Sequence, residues 1–168
     1  VAALAFVKQV ADAQLAAAAG ENKESVDGLS ELESTLLNEC GNRLTYFDLG
    51  GPLSFGAAAD LGHHVRERIS PTHHTSLVLD FSKVPFMDVS AARAVETIAL
   101  DAAHAGKHLY VCGINEQVTA SLEGLGVSEL IPVTSRFETR ADALSAARDG
   151  IFENADSANG SGNSSAPA

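Results

Sequence analysis

The sequence is poor in cysteine and aromatic residues, and both shortages exclude classes of protein. Its 168 residues include two cysteines and no tryptophan, and aromatic residues make up 5% of the chain. Cys40 and Cys112 are far apart and form no CxxC pair, so they do not make a disulfide framework. The core must therefore be built mainly from aliphatic side chains.

Positive charge is also scarce. Lys and Arg together number 11 against 22 Asp and Glu, which gives a formal net charge of −11. A field of that sign repels phosphate backbones, so nucleic-acid binding is not expected. It also argues against a domain that lies flat on an anionic lipid surface.

No long hydrophobic run is present. The apolar run over residues 1–7 ends at Lys8, whereas a helix that spans a bilayer needs ~20 apolar residues. The run also lacks the charged leader of a signal peptide. Two interpretations of the Ala-rich stretch over residues 1–19 remain open: an ordinary amphipathic helix, or the inner end of a membrane helix.

Two further segments differ in composition from the rest of the chain. Residues 20–42 carry six acidic residues against Lys23, and the spacing of Leu29, Leu32 and Leu36 predicts a short helix over 27–38. We interpret this segment as an acidic linker that docks part of itself on the domain. Residues 154–168 are mostly small and polar, and we expect a disordered tail there.

Residues 43–153 alternate strand and helix patterns, which predicts an α/β domain with the order ββαβαβαβα. Apolar residues make up 45% of the chain and charged residues 20%, as expected for one packed domain. Strands are predicted over residues 43–49, 53–55, 76–81, 108–113 and 131–133, and helices over 56–69, 90–105, 115–125 and 137–152. Strand–helix–strand units imply parallel pairing with right-handed crossovers. An opening β-hairpin formed by the first two strands would make the sheet mixed.

The loop between the strand at 76–81 and the next helix is the candidate functional site. Ligands and chemistry gather at the carboxyl ends of parallel strands. Asp88 or Ser90 is placed to cap the helix, because both side chains accept bonds from free N–H groups. Alternatively, the loop presents the Ser90 hydroxyl for phosphorylation, in which case the helix amides would stabilise the phosphate and Asp88 would oppose it. As a docking loop it would offer Lys83, Pro85, Phe86 and Met87.

No pattern points to a metal, a cofactor or catalysis. A metal site needs three or four converging ligands, and the histidines come only as the pairs 63/64, 73/74 and 104/108. We expect these to be solvated surface residues. The chain has no GxSxG, P-loop or GxGxxG motif, so no enzyme activity and no cofactor are expected.

Several segments, in order, resemble the STAS domain, the fold of bacterial anti-sigma-factor antagonists and of the cytoplasmic tail of sulfate-permease (SulP) anion transporters. Residues 51–58, GPLSFGAA, are similar to the G-P-L-x-F-x-x-A segment of the transporter branch. Residues 77–92, LVLDFSKVPFMDVSAA, are similar to the signature strand, loop and helix start. The next strand and helix are matched by GKHLYVCG at 106–113 and LEGLG at 122–126. The resemblance covers residues 43–147 and implies a STAS-like mixed sheet flanked by helices.

The N-terminal residues 5–12, AFVKQVAD, are similar to the segment that joins the last membrane helix of sulfate permeases to their STAS domain. This similarity favours reading residues 1–19 as the end of a membrane helix or its cytoplasmic extension. The resemblance implies the C-terminal STAS domain of a secondary transporter for sulfate, bicarbonate or a dicarboxylate, at the cytoplasmic face of the bacterial inner membrane. Its implied roles are dimerisation, assembly and regulation, not transport itself.

The implied partners are the chain's own transmembrane domain, a second copy, and a regulatory protein or nucleotide. The alternative is a free-standing module like the anti-sigma-factor antagonists. In those proteins the loop reads Asp-Ser-Ser-Gly, and the second Ser is phosphorylated. Asp88 matches the Asp and Ser90 the phosphorylated Ser, whereas Val89 and Ala91 depart from the pattern.

Overall fold

The chain folds as alternating strands and helices around one sheet. The structure, a computed structural model, describes residues 7–9, 28–69 and 76–160. The strands are β1 (Val7–Gln9), β2 (Leu44–Gly50), β3 (Ser76–Lys83), β4 (His108–Cys112) and β5 (Arg136–Phe137). The helices are α1 (Glu31–Cys40), α2 (Phe55–Ile69), α3 (Val89–His104), α4 (Glu116–Glu123), α5 (Val127–Leu130) and α6 (Arg140–Gly160).

The five strands lie side by side in sequence order. β2, β3, β4 and β5 are parallel, and β1 pairs with β2 in the antiparallel sense. The register places Tyr46 of β2 opposite Val78 of β3, and Val78 opposite Tyr110 of β4. The predicted α/β class, a mixed sheet flanked by helices, is confirmed.

Alternating side chains of the sheet enter two separate cores, because successive strand residues point to opposite faces. On one face, Phe47, Leu79 and Val111 belong to the cluster that also includes residues of α2, α3, α4 and α5. On the other face, Val78 and Cys112 pack with residues of α1 and α6. Coverage of both faces explains why β3 reads as an almost continuous apolar run.

The ends of the helices follow local hydrogen-bonding rules. Ser30 and Glu33 form a reciprocal capping box at the start of α1. Asn115 caps α4 by accepting a hydrogen bond from the Val118 N–H. After α4 the chain turns at Gly126, where φ is +70°.

Helix α1 is fixed to the rest of the domain by Arg140, the first residue of α6. The Nε of Arg140 donates to Glu33 Oε1 at 2.9 Å, and its Nη2 donates to the Gly28 carbonyl at 2.6 Å. Burial raises the pKa of Glu33, but hydrogen bonds from Arg140 and Ser30 outweigh that effect and leave the pKa lowered. The predicted helix in the acidic segment is therefore present, four residues later at its start than expected, and packed on α6.

The predicted opening hairpin is wrong. Leu53 forms an isolated bridge with Met87, because its N–H donates to the Phe86 carbonyl and its own carbonyl accepts from the Asp88 N–H. Its backbone groups are thus paired with the loop after β3 and not with β2. The antiparallel partner of β2 is β1, so residues 7–9 are a strand where a helix was considered.

The predicted last strand at 131–133 is also wrong, and the strand lies at Arg136–Phe137. Pro132 has no N–H to donate to a sheet, and a short 3-10 helix follows it at Val133–Ser135. The Arg136 side chain donates to the carbonyls of Ile131 and Ser128. These bonds hold the chain before β5 in a turn.

The final helix starts three residues later than predicted and continues to Gly160. Residues 154–160 are therefore helical where a disordered tail was expected, because extending a formed helix costs far less than nucleating one. The rest of the tail, residues 161–168, lies outside the described residues. The same holds for residues 1–6, for 10–27 and for the histidine pair at 73/74.

A glycine at the end of β4 provides a test of the packing between β3 and β4. Gly113 has φ +67°, and a Cβ there would meet the Cα and backbone N of Ser82 at 2.7 Å. Gly113→Ala should lower the free energy of unfolding by about 2–5 kcal/mol, since strain adds to a backbone clash. Gly106→Ala is the matched control, with the same φ and nothing within 4 Å, and should cost about 1–2 kcal/mol. Equal losses in urea unfolding would show that the close approach does not exist.

The Glu33–Arg140 pair predicts a pH dependence. Because the folded-state pKa of Glu33 lies below its ordinary value of 4.5, the pair stabilises the fold above that value. The stabilisation is lost as the pH falls through the lowered pKa. As the pH falls from 4.5 toward acid unfolding, the free energy of unfolding of Glu33→Gln should therefore decrease less than that of the unsubstituted chain. Glu39→Gln, which removes an exposed partner of Arg148, should behave like the unsubstituted chain; identical slopes for all three chains would contradict the assignment.

Candidate functional site

The loop that leaves β3 is held on one side by the segment after β2. The Gly51 N–H donates to the Lys83 carbonyl at 3.0 Å, and the Leu53 N–H donates to the Phe86 carbonyl at 3.0 Å. The Asp88 N–H closes this ladder by donating to the Leu53 carbonyl at 3.2 Å. These bonds give the loop a backbone framework of the kind that strands have.

On the other side, helix α4 binds the loop through two polar side chains. Asn115 Nδ2 donates to the carbonyls of Val84 and Pro85 at 2.9 and 3.2 Å. Ser121 Oγ donates to the Met87 carbonyl at 3.1 Å. Sequence reasoning missed both positioning residues; Asn115 was included only as the start of a helix.

The loop presents some of the predicted docking residues and buries one of them. Pro85 is exposed, and Phe86 is 50% exposed. Met87 is 5% exposed and belongs to the core, so its side chain is not available to a partner, contrary to expectation. Val89, which was not among the predicted docking residues, is 65% exposed. The apolar surface of the loop therefore consists of Pro85, Phe86 and Val89.

Lys83, the remaining predicted docking residue, is paired inside the domain. Its Nζ lies 2.6 Å from Asp48 Oδ2. The Lys83 side chain is 54% exposed, whereas the Asp48 side chain is 5% exposed. A carboxylate buried to that degree requires a compensating charge. The main role of Lys83 is therefore structural, and only the exposed part of its side chain is available to a partner.

Asp88 and Ser90 have different positions at the start of α3. Asp88 is the N-cap, and its Oδ1 accepts from the Ala91 N–H at 2.7 Å. Ser90 is the second residue of the helix and is exposed. Of the two predicted capping residues, Asp88 takes that role, and the Ser90 side chain stands on the surface beside Val89.

A buried polar cluster lies behind the loop, on the face of the sheet that α1 and α6 cover. Tyr46 donates its hydroxyl to Asp80 Oδ2 at 2.7 Å, and the Ser82 N–H donates to Asp80 Oδ1 at 2.8 Å. Arg140 Nη1 lies 3.6 Å from Asp80 Oδ2. Burial, together with the Asp80 carboxylate, raises the pKa of the Tyr46 hydroxyl, which keeps it a hydrogen-bond donor. The signal in the sequence was the single acidic residue within the apolar strand at 76–81.

Other features of the described residues provide no competing site. A cavity of about 230 Å³ is lined in part by Thr119, Arg136 and Glu138, but Arg136 is committed to the carbonyls of Ser128 and Ile131. Over residues 28–69 and 76–160 no three His, Cys, Asp or Glu side chains converge as metal ligands would. Within the same part of the chain, no helix has both the length and the apolar character needed to cross a bilayer.

Comparison with protein families identifies the domain. The model of the STAS domain family matches residues 37–143, well over half of the chain. The chain is 33% identical over 116 residues to a bicarbonate transporter of Synechocystis, covering 69% of this chain and 20% of the transporter. It is 31% identical over 124 residues to a bicarbonate transporter of Picosynechococcus, covering 74% of this chain and 21% of that protein. The chain thus spans about a fifth of the length of these relatives.

Solved structures show the same fold. The STAS domain of a SulP transporter from Vibrio cholerae superposes with a TM-score of 0.56 at 21% identity, covering 74% of this chain and 99% of that one. A protein from Thermotoga maritima described as a putative anti-sigma factor antagonist superposes with a TM-score of 0.54 at 15% identity, covering 63% and 88%. Both branches of the fold are therefore represented among its structural neighbours. The chain belongs to the STAS domain family and is related in sequence to the bicarbonate transporters of Synechocystis and Picosynechococcus.

Proposed function

We propose that this chain is the C-terminal STAS domain of a SulP-type secondary anion transporter. The observation that carries the proposal is the 33% identity over 116 residues to a bicarbonate transporter of which those residues form one fifth. The rest of such a protein would contain the transport pathway. Bicarbonate is the first substrate to test, with sulfate and dicarboxylates as the alternatives.

The domain's own role in this proposal is assembly, dimerisation and regulation at the cytoplasmic face of the bacterial inner membrane. Its support is the loop after β3, which exposes Phe86 and Val89 while its backbone is fixed by Leu53 and Asn115. A rigid loop loses little conformational entropy when a partner binds it. The partners in this proposal are the attached transmembrane domain, a second copy of the chain, and a regulatory protein or nucleotide.

The net charge of −11 fits an attachment through the polypeptide and not through lipid. An acidic domain is repelled by the anionic inner leaflet, so its position near the membrane would depend on the segment that precedes α1. In this proposal residues 1–19 supply that connection as a cytoplasmic extension of the last membrane helix, since residues 7–9 form β1 of the sheet. The domain itself performs no catalysis.

Uptake by the complete transporter tests the proposal. Cells that lack their own carriers would be supplied with the full-length protein and, separately, with a version that ends before β1. We expect labelled bicarbonate uptake from the full-length protein. Removal of the STAS domain should lower the maximal rate or the amount of protein in the membrane, and leave KM for the anion unchanged, because the anion site lies elsewhere.

Phe86→Ser and Val89→Ser in the full-length protein refine this test, since both remove exposed apolar surface without touching the core. They should alter the maximal rate in the same direction as deletion, and Thr97→Ser, an exposed position in the middle of α3, is the control. No uptake of any of the three anions, or a changed KM after deletion, would contradict the assignment.

A second candidate function is a free-standing module switched by phosphorylation. The observation that favours it is the exposed Ser90 in the first turn of α3, directly after the capping Asp88. A phosphate there would gain from the helix N-terminus but would be repelled by Asp88, whose carboxylate already accepts the Ala91 N–H.

Intact-mass measurement of protein isolated from its native cells tests this second candidate. The signalling module requires a phosphorylated fraction on Ser90 that changes with growth conditions, and absence of phosphate under every condition would rule that module out. The transporter proposal does not depend on phosphate at Ser90. A Ser90→Ala chain serves as the mass control. Phosphate found on the unsubstituted chain and missing from Ser90→Ala would favour the switch.

A further inference from the structure

Helix α1 is short, and few of its side chains make apolar contacts with the rest of the domain. It has ten residues, and isolated helices shorter than about 12–15 residues are marginal in water. Leu36 and Cys40 are buried and Leu37 packs partly buried on the same cluster, but Leu32 is 59% exposed. Attachment to α6 therefore depends strongly on polar contacts.

The charges of α1 oppose its docking on an acidic domain. Its residues include Glu31, Glu33 and Glu39 and no basic residue, and the chain carries a net charge of −11. Two arginines of α6, Arg140 and Arg148, offset these negative charges. Arg148 pairs with Glu39 at 3.2 Å on the surface, where such a pair contributes little, whereas Arg140 and Glu33 have side chains that are 18% and 10% exposed.

Arg140 joins α1 to the sheet through one guanidinium. Toward α1 it donates to Glu33 and to the Gly28 carbonyl. Toward the sheet its Nη1 donates to the Tyr46 hydroxyl at 3.3 Å and lies near Asp80. Removing the guanidinium would leave the Glu33 carboxylate buried without a countercharge, which is costly and which the helix avoids by leaving its site.

We propose that α1 is a separable element of the domain and that Arg140 is the residue that locks it onto the core. Release would uncover Cys40 and the side of α6 formed by Ala143, Leu144 and Ala147, while strands β2, β3 and β4 stay paired. Whether α1 separates from the core is a property of the domain itself and does not depend on the proposed function. A role for this release in coupling the domain to a transmembrane part rests on the proposed function. In the chain α1 lies between β1 and β2, the paired strands at one edge of the sheet.

The two cysteines report on this release independently. Cys40 is the last residue of α1 and Cys112 the last of β4, and they are 1% and 0% exposed. Burial raises the pKa of Cys40 to about 11, so the reactive thiolate is scarce while the helix is docked. Local release of α1 makes Cys40 reactive, whereas Cys112 stays covered by α6 and becomes reactive only when the rest of the domain opens.

The experiment measures alkylation by N-ethylmaleimide at neutral pH, with peptide mass spectrometry to separate the two cysteines. Glu33→Gln should raise the alkylation rate of Cys40 about tenfold or more and leave that of Cys112 unchanged, since it removes a charge-assisted hydrogen bond between α1 and α6. Arg140→Gln should also raise the Cys40 rate, but it removes a countercharge of Asp80, which lies against Cys112, so Glu33→Gln provides the comparison of the two cysteines. Glu33→Gln keeps a side chain that can complete the capping box, so it isolates the ion pair from the cap. Arg148→Gln, in the same pair of helices, is the matched control and should accelerate neither cysteine, because loss of the Arg148 charge raises the pKa of Cys40 further.

Two results would overturn the proposal: an equal rise at both cysteines in Glu33→Gln, which means that α1 opens only together with the rest of the domain, or no rise at Cys40 in either variant. If Arg140→Gln does not fold, Glu33→Gln and the unsubstituted chain still decide. In urea below the unfolding transition, the unsubstituted chain should alkylate Cys40 faster than Cys112, and equal rates would contradict separability. None of these readouts involves transport, so failure of the transporter assignment would leave them unaffected.

Discussion

The buried carboxylate of Asp80 is the constraint around which one face of the domain is arranged. It lies on β3, the central strand, where residues 76–81 are all buried, and a charge in that position must be paired. Tyr46 and Ser82 donate hydrogen bonds to it, and Arg140 brings a positive charge within 3.6 Å. Because Arg140 also starts α6 and binds α1, the compensation of one carboxylate determines where both helices lie.

The opposite face of the sheet is stabilised by apolar packing. Its apolar cluster holds α2, α3 and α4 against the sheet, and α4 in turn fixes the loop after β3 through Asn115 and Ser121. The loop buries Met87 and exposes Phe86 and Val89. The exposed side chains of Phe86 and Val89 are thus displayed on a rigid support, on which the proposal of a partner-binding loop rests.

The sequence predicted the central elements because their signals are strong and local. β3 and β4 are apolar runs bounded by polar residues, and α3 has its buried residues at helical spacing, so both kinds of element were placed within two residues of their observed limits. The predictions failed where backbone partners are remote. Leu53 pairs with the loop that contains Phe86, and β5 starts only after Arg136 has bound the carbonyls of Ser128 and Ile131. Neither pairing produces a periodic pattern of apolar residues in the sequence.

What the sequence alone determined is therefore the α/β class, the STAS family, most helix and strand positions and the location of the loop between β3 and α3. These follow from hydrophobic periodicity, turn residues and motifs of neighbouring residues. Tertiary structure alone decided that Asp88 and not Ser90 caps α3, that Met87 is buried, and that Glu33 meets Arg140. The last pair is 107 positions apart in the chain. Its formation depends on how two helices pack on one sheet face, and hydrophobic periodicity within either helix carries no information about that packing.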